Sequence, residues 1–242
     1  MKNKVKFLAV SLITLLFLQT SIAATPSFGW VKGSGKIVKE TREVSNFHGL
    51  EVGGAFEVIL IKSNNEKVVL EMDDNLLPYV STRVYGGILE IDNERDFRNP
   101  SELKVTIYYK SINEIDISGA ASLTSEDVLK CENFEFEASG ASDVQLKLDV
   151  ESMEADLSGA SKVTFSGKAS SVEIEASGAS VYKALELETE ECELDASGAA
   201  VAKVWVTEKF AIEASGASSV RYKGSPGIDI VNISGASSVR KY

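Results

Sequence analysis

The residues of this 242-residue chain that could do chemistry are serines and carboxylates that recur together. A Ser-Gly-Ala tripeptide occurs seven times, and an acidic residue stands two positions before six of its serines. A serine hydroxyl becomes a nucleophile when a neighbouring base takes its proton. The chain has a single histidine, His48, and it precedes the first repeat. The repetition therefore indicates an architectural role for the tripeptide.

The acidic residues themselves are the second candidate for a site. The first set, two positions before the serines, comprises Asp116, Glu137, Asp156, Glu175, Asp195 and Glu213. A second set lies two residues earlier: Glu114, Glu135, Glu154, Glu173 and Glu193. Calcium takes 6 to 8 oxygen ligands around one point rather than along a line. We favour a solvated face copied by duplication, and Ca²⁺ or ligand binding on this face is the alternative. No other cofactor is predicted.

The spacing of the repeats predicts the fold. The tripeptide serines are Ser118, Ser139, Ser158, Ser177, Ser197, Ser215 and Ser234, so the intervals are 21, 19, 19, 20, 18 and 19 residues. Within each repeat, apolar residues alternate with polar ones, which is typical of strands. A fixed period of this length is typical of stacked structural units. The sequence predicts an all-β fold, a parallel β-solenoid with coils of about 19 residues, and an antiparallel sandwich is the alternative.

The glycine of each tripeptide is predicted to form the corner of a coil. These glycines are Gly119, Gly140, Gly159, Gly178, Gly198, Gly216 and Gly235. Glycine tolerates a positive φ that other residues adopt at a cost. We expect the following alanine to pack at the inner side of the corner and the serine hydroxyls to bond to each other or to unpaired backbone groups.

The N-terminus predicts export. Three lysines precede an apolar run from Phe7 to Leu18, and small residues follow, which is typical of a signal peptide covering residues 1–23. Residues 24–43 are predicted to be a tail or cap. Residues 44–242 are predicted to form one β-helix domain, with regular coils from about residue 113. We expect a protein of the periplasm, the extracellular space or the cell surface that does not span the membrane after cleavage.

Charge and cysteine content limit the partners further. Loss of the three lysines of the signal peptide takes the formal charge from −11 to −14, which argues against a nucleic-acid partner. A basic strip develops on the later repeats six residues after the serine, at Lys183, Lys203, Arg221 and Arg240, and we interpret it as a solvated face. Cys131 and Cys192 occupy different positions in their repeats, so they are predicted to be unpaired and buried.

The segments "NFHGLEVGGAFEVILIK" and "DDNLLPYVSTRVYGGILEI" and the serial "SGAS" resemble the bacterial head GIN domain family of autotransporter adhesins. The resemblance spans about residues 44 to 242. It implies a single-stranded right-handed β-helix similar in shape to pectin lyases. It also implies export and a role in adhesion. Together with the repeat pattern, it leads us to predict a non-enzymatic protein of the bacterial cell envelope that acts in adhesion or binds glycan or protein through its flat sheet faces. The alternative function is a carbohydrate-active enzyme or a lectin-like module, since proteins of that shape include polysaccharide lyases.

Overall fold

The computed structural model describes residues 29–242. Its secondary structure consists of β-strands, joined by turns and loops, and one short 3-10 turn at Leu77–Tyr79. The predicted signal peptide lies outside the described residues. The strands before the first Ser-Gly-Ala are short: β1 (Val31–Lys32), β2 (Ile37–Glu43), β3 (Gly49–Val52), β4 (Glu57–Lys62), β5 (Lys67–Asp73), β6 (Val80–Tyr85), β7 (Ile88–Asn93), β8 (Phe97–Arg98), β9 (Leu103–Tyr109) and β10 (Glu114–Ile117). The regular region follows with β11 (Ser122–Ala138), β12 (Asp143–Leu157), β13 (Lys162–Ala176), β14 (Val181–Ala196), β15 (Val201–Ala214), β16 (Ser219–Lys223), β17 (Gly227–Ile233) and β18 (Ser238–Lys241).

The regular strands stack in parallel, each on its successor. Asp143 of β12 pairs with Lys162 of β13, and Lys162 pairs with Val181 of β14, so each pairing advances one repeat of the sequence. A single strand of 14 to 17 residues runs around each of these coils, from one Ser-Gly-Ala corner to the next. The predicted β-solenoid with coils of about 19 residues is confirmed.

The core lies inside the coils and runs along the whole solenoid. Alternate residues of each strand are buried, as the two-residue period requires. Aromatic rings fill the centre of the middle coils: Phe136 and Phe165 meet edge to face at 5.0 Å, and Phe165 meets Tyr182 at 5.8 Å between ring centroids. Such offset contacts add to the stabilisation from burial. Stacked coils therefore bury what no single coil could bury alone.

The segment before the repeats combines parallel and antiparallel strand pairs. β3 and β4 pair in parallel with the first regular coil, at β10 and β11. On their other side they pair in parallel with β7 and β9, which come later in the chain. Beyond these, β2, β5 and β6 run antiparallel to their neighbours. The outermost layers are thus an antiparallel cap that shares the same hydrophobic core.

One buried carboxylate fixes this cap. Asp73 is fully buried, and its carboxylate accepts hydrogen bonds from the backbone N–H groups of Gly35 (2.5 Å) and Ser101 (2.6 Å) and from the Ser101 hydroxyl (3.0 Å). Burial alone would raise the pKa of Asp73, but these donors outweigh it and hold the pKa below its usual value. Asp73 therefore joins three segments that are distant in the sequence.

The corner differs from the sequence prediction in one respect. Residues 158–161 form a turn in which the Ser161 N–H donates to the Ser158 carbonyl, and φ is +66° at Gly159. A positive φ at the first central residue alone is the pattern of a type II′ turn. Ala160 is exposed, and Ser161 is fully buried. The prediction that the alanine packs inside was wrong, because this turn directs its second central side chain outward and the next residue inward.

The cysteines are both free, as predicted. Cys192 is buried, whereas Cys131 is only half-buried, so the prediction that both are buried holds for Cys192 alone. Burial raises the pKa of both thiols, strongly at Cys192, so both are protonated at neutral pH.

Candidate functional site: the acidic flank and its corner groove

The acidic residues form two straight columns on the flank that precedes the corner. The structure brings all six predicted carboxylates of the first set into direct register, from Asp116 to Glu213. The second set is in register as well, beginning with Glu114 beside Glu135. The strand alternation explains both columns, because residues two apart face the same side of a strand. We call this surface the acidic flank.

The first column is longer than the repeats alone indicate. Glu51 of β3 pairs with Asp116, and Glu90 of β7 pairs with Glu51, so two further carboxylates extend the column into the cap. Neither Glu51 nor Glu90 was predicted from the sequence, because these residues lie outside the Ser-Gly-Ala period. The "GLEV" of β3 and the "ILEI" of β7 carry the signal, since each has a glutamate between two apolar residues.

Neighbouring carboxylates perturb the titration of Asp116, which is partly shielded from solvent. The pKa of Asp116 is raised, first by burial and then by the charges of Glu137, Glu51 and Glu114. Within residues 29–242, none of the six carboxylates from Asp116 to Glu213 forms an ion pair. The column therefore carries unpaired negative charge from Asp116 to Glu213, whereas Glu90, at its end in the cap, pairs with Arg83.

A shallow groove of about 490 Å³ runs along the corner, between the acidic column and the tripeptide serines. Its acidic side is lined by Asp116, Glu137, Asp156, Glu175 and Asp195, and its other side by serines from Ser118 to Ser215. The groove is open and parallel to the solenoid axis. It could hold an extended chain lying along the coils rather than a small molecule enclosed on all sides.

Two of the serine hydroxyls of this groove bond to backbone. The Ser177 Oγ donates to the carbonyl of Leu157 at 3.3 Å, and the Ser118 Oγ donates to the carbonyl of Val52 at 3.4 Å. Both acceptors belong to the neighbouring coil, as the expected bonding to corner backbone requires. His48 precedes β3, whereas Ser118 lies beside the far end of that strand, about 13 Å away at ~3.3 Å per residue. The described residues thus hold no histidine within reach of these hydroxyls.

A second column of hydroxyls lies inside the corner and was not predicted. Ser142, Ser161, Ser180 and Ser218 are buried, and their Oγ atoms have no hydrogen-bond partner among the described residues. Their stacking follows from the parallel register, in which Lys162 pairs with Val181 one residue further on. The recurring fourth residue of "SGAS" is the signal in the sequence.

The seven corner glycines approach each other across coils. All have a positive φ, between +66° and +77°. A Cβ atom built on Gly159 would lie 2.6 Å from the carbonyl oxygen of Gly140, and one on Gly178 would lie 2.6 Å from that of Gly159. The corner backbone is therefore stacked too tightly for a side chain at either Gly159 or Gly178.

Neither a metal-ligand cluster nor a helix able to cross a membrane occurs within residues 29–242. No group of three or more His, Cys, Asp or Glu side chains there is arranged to hold a metal ion. In the same range no helix has the length and apolarity needed to cross a bilayer.

The geometry of a stacked, corner-repeated solenoid can be compared with known families. A model of the family described as "Putative auto-transporter adhesin, head GIN domain" matches residues 46–226. The chain belongs to the head GIN domain family. The resemblance drawn from the sequence is thereby confirmed, and none of the curated proteins matches the chain.

Solved structures share the fold of this head GIN domain protein. A putative adhesin from Bacteroides fragilis is 21% identical, with a TM-score of 0.81 over 88% of this chain and 100% of that one. A putative adhesin from Parabacteroides merdae is 20% identical, with a TM-score of 0.71 over 88% and 98%. A putative lipid binding protein from Parabacteroides distasonis is 18% identical, with a TM-score of 0.70 over 88% and 100%. At these identities the likeness shows the fold alone.

Proposed function

We propose that this protein is an exported, non-enzymatic binding protein of the bacterial cell envelope, which attaches to glycan or protein partners through the flat flanks of its solenoid. The observation that carries the proposal is the parallel register of the coils, which repeats each outward position along straight, flat sheet flanks. A flat flank of this kind offers the same contact several times, once per coil. Repeated weak contacts give avidity to a partner that is itself repetitive.

Two further observations support binding rather than catalysis. The tripeptide serines Ser118 and Ser177 use their hydroxyls to bond to backbone. The corner groove is open along its length and is lined by side chains that recur from coil to coil. An enzyme site normally requires a few unlike groups converging on one point. The family description as an adhesin agrees with a binding function.

The proposal is tested with the mature chain, residues 24–242, in two assays. The labelled protein is applied to a glycan array, and the immobilised protein is exposed to intact bacterial and host cells. Every glycan that binds is then incubated with the protein, and released reducing ends are measured. Retention of cells or glycans without release of reducing ends is the expected result. Turnover of a bound glycan would instead favour a carbohydrate-active enzyme, and failure to retain any surface would overturn the proposal.

A further inference from the structure

The flank that follows the corner carries a column of positive charge on its later coils. Lys183 pairs in register with Lys203, Lys203 with Arg221, and Arg221 with Arg240. Stacked coils place such neighbours ~4.8 Å apart along the solenoid axis. The column therefore spans four successive coils in a straight line. We call it the basic column.

The surroundings of the basic column are apolar or uncharged along one side and basic and aromatic along the other. On the corner side the same strands present Val181, Val201, Ser219 and Ser238. On the far side Trp205 pairs in register with Lys223, whose Nζ lies 3.6 Å from the centroid of the half-buried indole ring. The nearest acidic positions in register are Glu186 and Glu188, at the bulge of β14.

These cations differ from the lysines on the return side of the coils, Lys130, Lys168 and Lys209. Among residues 29–242, none of Lys183, Lys203, Arg221, Lys223 and Arg240 forms an ion pair. On the return side of the coils, by contrast, Lys130 contacts Asp149 at 2.6 Å, Lys168 contacts Asp149 at 4.0 Å, and Lys209 contacts Glu191. The basic column is thus a row of like charges that repel each other until an anion lies across them.

Copying of the repeat does not account for the column. The equivalent positions of the two preceding coils are Gln145 and Thr164, and Thr164 pairs directly with Lys183. The cations begin at Lys183 and continue from there, whereas the first acidic column runs from Asp116 to Glu213 and ends at Asn232 of the last coil. The sequence-based interpretation of this strip as a solvated face therefore leaves its position, its lack of ion pairs and its aromatic neighbour unexplained.

We propose that the basic column and Trp205 bind an anionic polysaccharide whose chain lies along the solenoid axis; this identifies the ligand class of one flank and rests on the binding function proposed above. An extended polymer with a negative group on successive sugars can place one anion at each coil. One face of the half-buried Trp205 ring is covered by the Lys223 ammonium, so the ring offers a sugar its exposed edge as an apolar contact. The four cations lie in a line along the solenoid axis, so a linear ligand fits them better than a small anion.

Other polyanions fit the same surface less well. A second copy of this chain could present its acidic flank, but two copies with a formal charge of −11 each repel at long range. Single-stranded nucleic acid is usually held by several aromatic side chains that stack on successive bases. Among the described residues of this patch, the aromatic side chains are Trp205 and the exposed Tyr242, which lies beside Lys223 on the last coil. The net negative charge opposes the approach of all of these polyanions alike, and salt screens it beyond ~8 Å under physiological conditions.

The experiment measures binding of the mature chain to polygalacturonate, dextran sulfate, neutral dextran and a single-stranded DNA oligonucleotide, at low and at physiological salt. The test variant carries Lys183→Gln, Lys203→Gln and Arg221→Gln. The matched control carries Lys130→Gln, Lys168→Gln and Lys209→Gln, which changes the net charge equally on the other side of the coils. A third variant, Trp205→Leu, keeps an apolar side chain but removes the ring. The melting temperature of each variant is measured first, to establish that the variant is folded.

We expect the wild type to bind at least one of the two anionic polysaccharides, more weakly as salt rises, and not to bind neutral dextran. The test variant should lose about tenfold in affinity or more, as three exposed ion pairs imply, while the control keeps wild-type affinity. Trp205→Leu should weaken polysaccharide binding several-fold. Equal losses in test and control variants would overturn the proposal, as would absence of binding to both anionic polysaccharides.

Two outcomes would reassign the basic column. Tighter binding of the DNA oligonucleotide than of either polysaccharide would make it a nucleic-acid surface. Concentration-dependent association of the wild type in sedimentation, lost in the test variant, would make it a self-association surface. Adhesion of the test variant to cells is measured separately: retained adhesion with lost polysaccharide binding would leave the proposed function standing without this ligand.

Discussion

Replacement of the corner glycine Gly159 by alanine should destabilise the solenoid by about 3 kcal/mol. Gly159 has φ +66°, and an L-residue held in that region costs about 1–2 kcal/mol. The added Cβ would also lie 2.6 Å from the carbonyl oxygen of Gly140 and 3.0 Å from its nitrogen. Backbone atoms cannot move aside as a flexible side chain can, and that same oxygen accepts the 2.7 Å hydrogen bond from the Ala160 N–H. We assign about 1–2 kcal/mol more to this clash.

Two glycines of the same chain separate the two contributions. Gly35 has φ +86° with no atom within 4 Å of the added Cβ, so Gly35→Ala measures the backbone cost alone. Gly227 has no positive φ and its nearest neighbour is 3.6 Å from the Cβ, so Gly227→Ala should be nearly neutral.

Thermal unfolding followed by circular dichroism measures the three variants against the wild type. For a protein of this size 1 kcal/mol shifts the melting temperature by about 2–4 °C, so Gly159→Ala should melt about 6–12 °C below the wild type. A loss at Gly159 no larger than the loss at Gly35 would refute the close approach of stacked corners. A neutral effect at Gly159 would refute the corner assignment altogether.

Three further predictions concern the carboxylates. Asp73→Asn should lower the stability of the cap by about 2 kcal/mol, because buried N–H donors lose a charged acceptor. Folding lowers the pKa of Asp73, so the stabilisation by its carboxylate is present above about pH 4 and is lost as the pH falls. Urea titrations of the wild type and the variant at several pH values measure this difference. Asp116→Asn should raise the melting temperature at pH 7, because folding raises the pKa of Asp116 and so disfavours its ionised form. This gain in melting temperature should vanish below about pH 4, where the carboxyl group is protonated in the unfolded chain as well. Calcium and sodium at matched ionic strength should raise the melting temperature equally, because the carboxylates form a line rather than a cage; a larger calcium shift, abolished by Glu154→Gln with Asp156→Asn, would show a cation site.

The regular coils could be predicted from the sequence because one period fixes both the strand and its partner. Residue 143 pairs with residue 162, one serine interval later, and the buried residues follow the alternation through each strand. The phase of that alternation is reset inside the turn, however. The sequence alone does not say whether Ala160 or Ser161 points inward after Gly159, and the prediction chose the wrong one of the two.

The cap could not be predicted in the same way, because a strand's alternation is the same whichever direction its partner runs. β5 and β9 both read as half-buried strands, and nothing local shows that they pair antiparallel while β4 and β9 pair in parallel. Asp73 illustrates the same limit. Its donors at residues 35 and 101 are separated from it by long stretches of chain, so only the folded topology identifies it as a buried hydrogen-bonded carboxylate.

The two charged surfaces of the solenoid call for different explanations, although the same backbone produces both. In a parallel stack any outward position repeats as a column, so a duplicated repeat inherits its surface charge without selection for a ligand. The acidic flank fits that account, since carboxylates occupy it from Asp116 to Glu213. The basic column does not, since it begins at Lys183 beside Thr164 and lies next to Trp205. A feature that departs from its own repeat has been changed after duplication. The flank that follows the corner is therefore where the structure places the stronger sign of a partner.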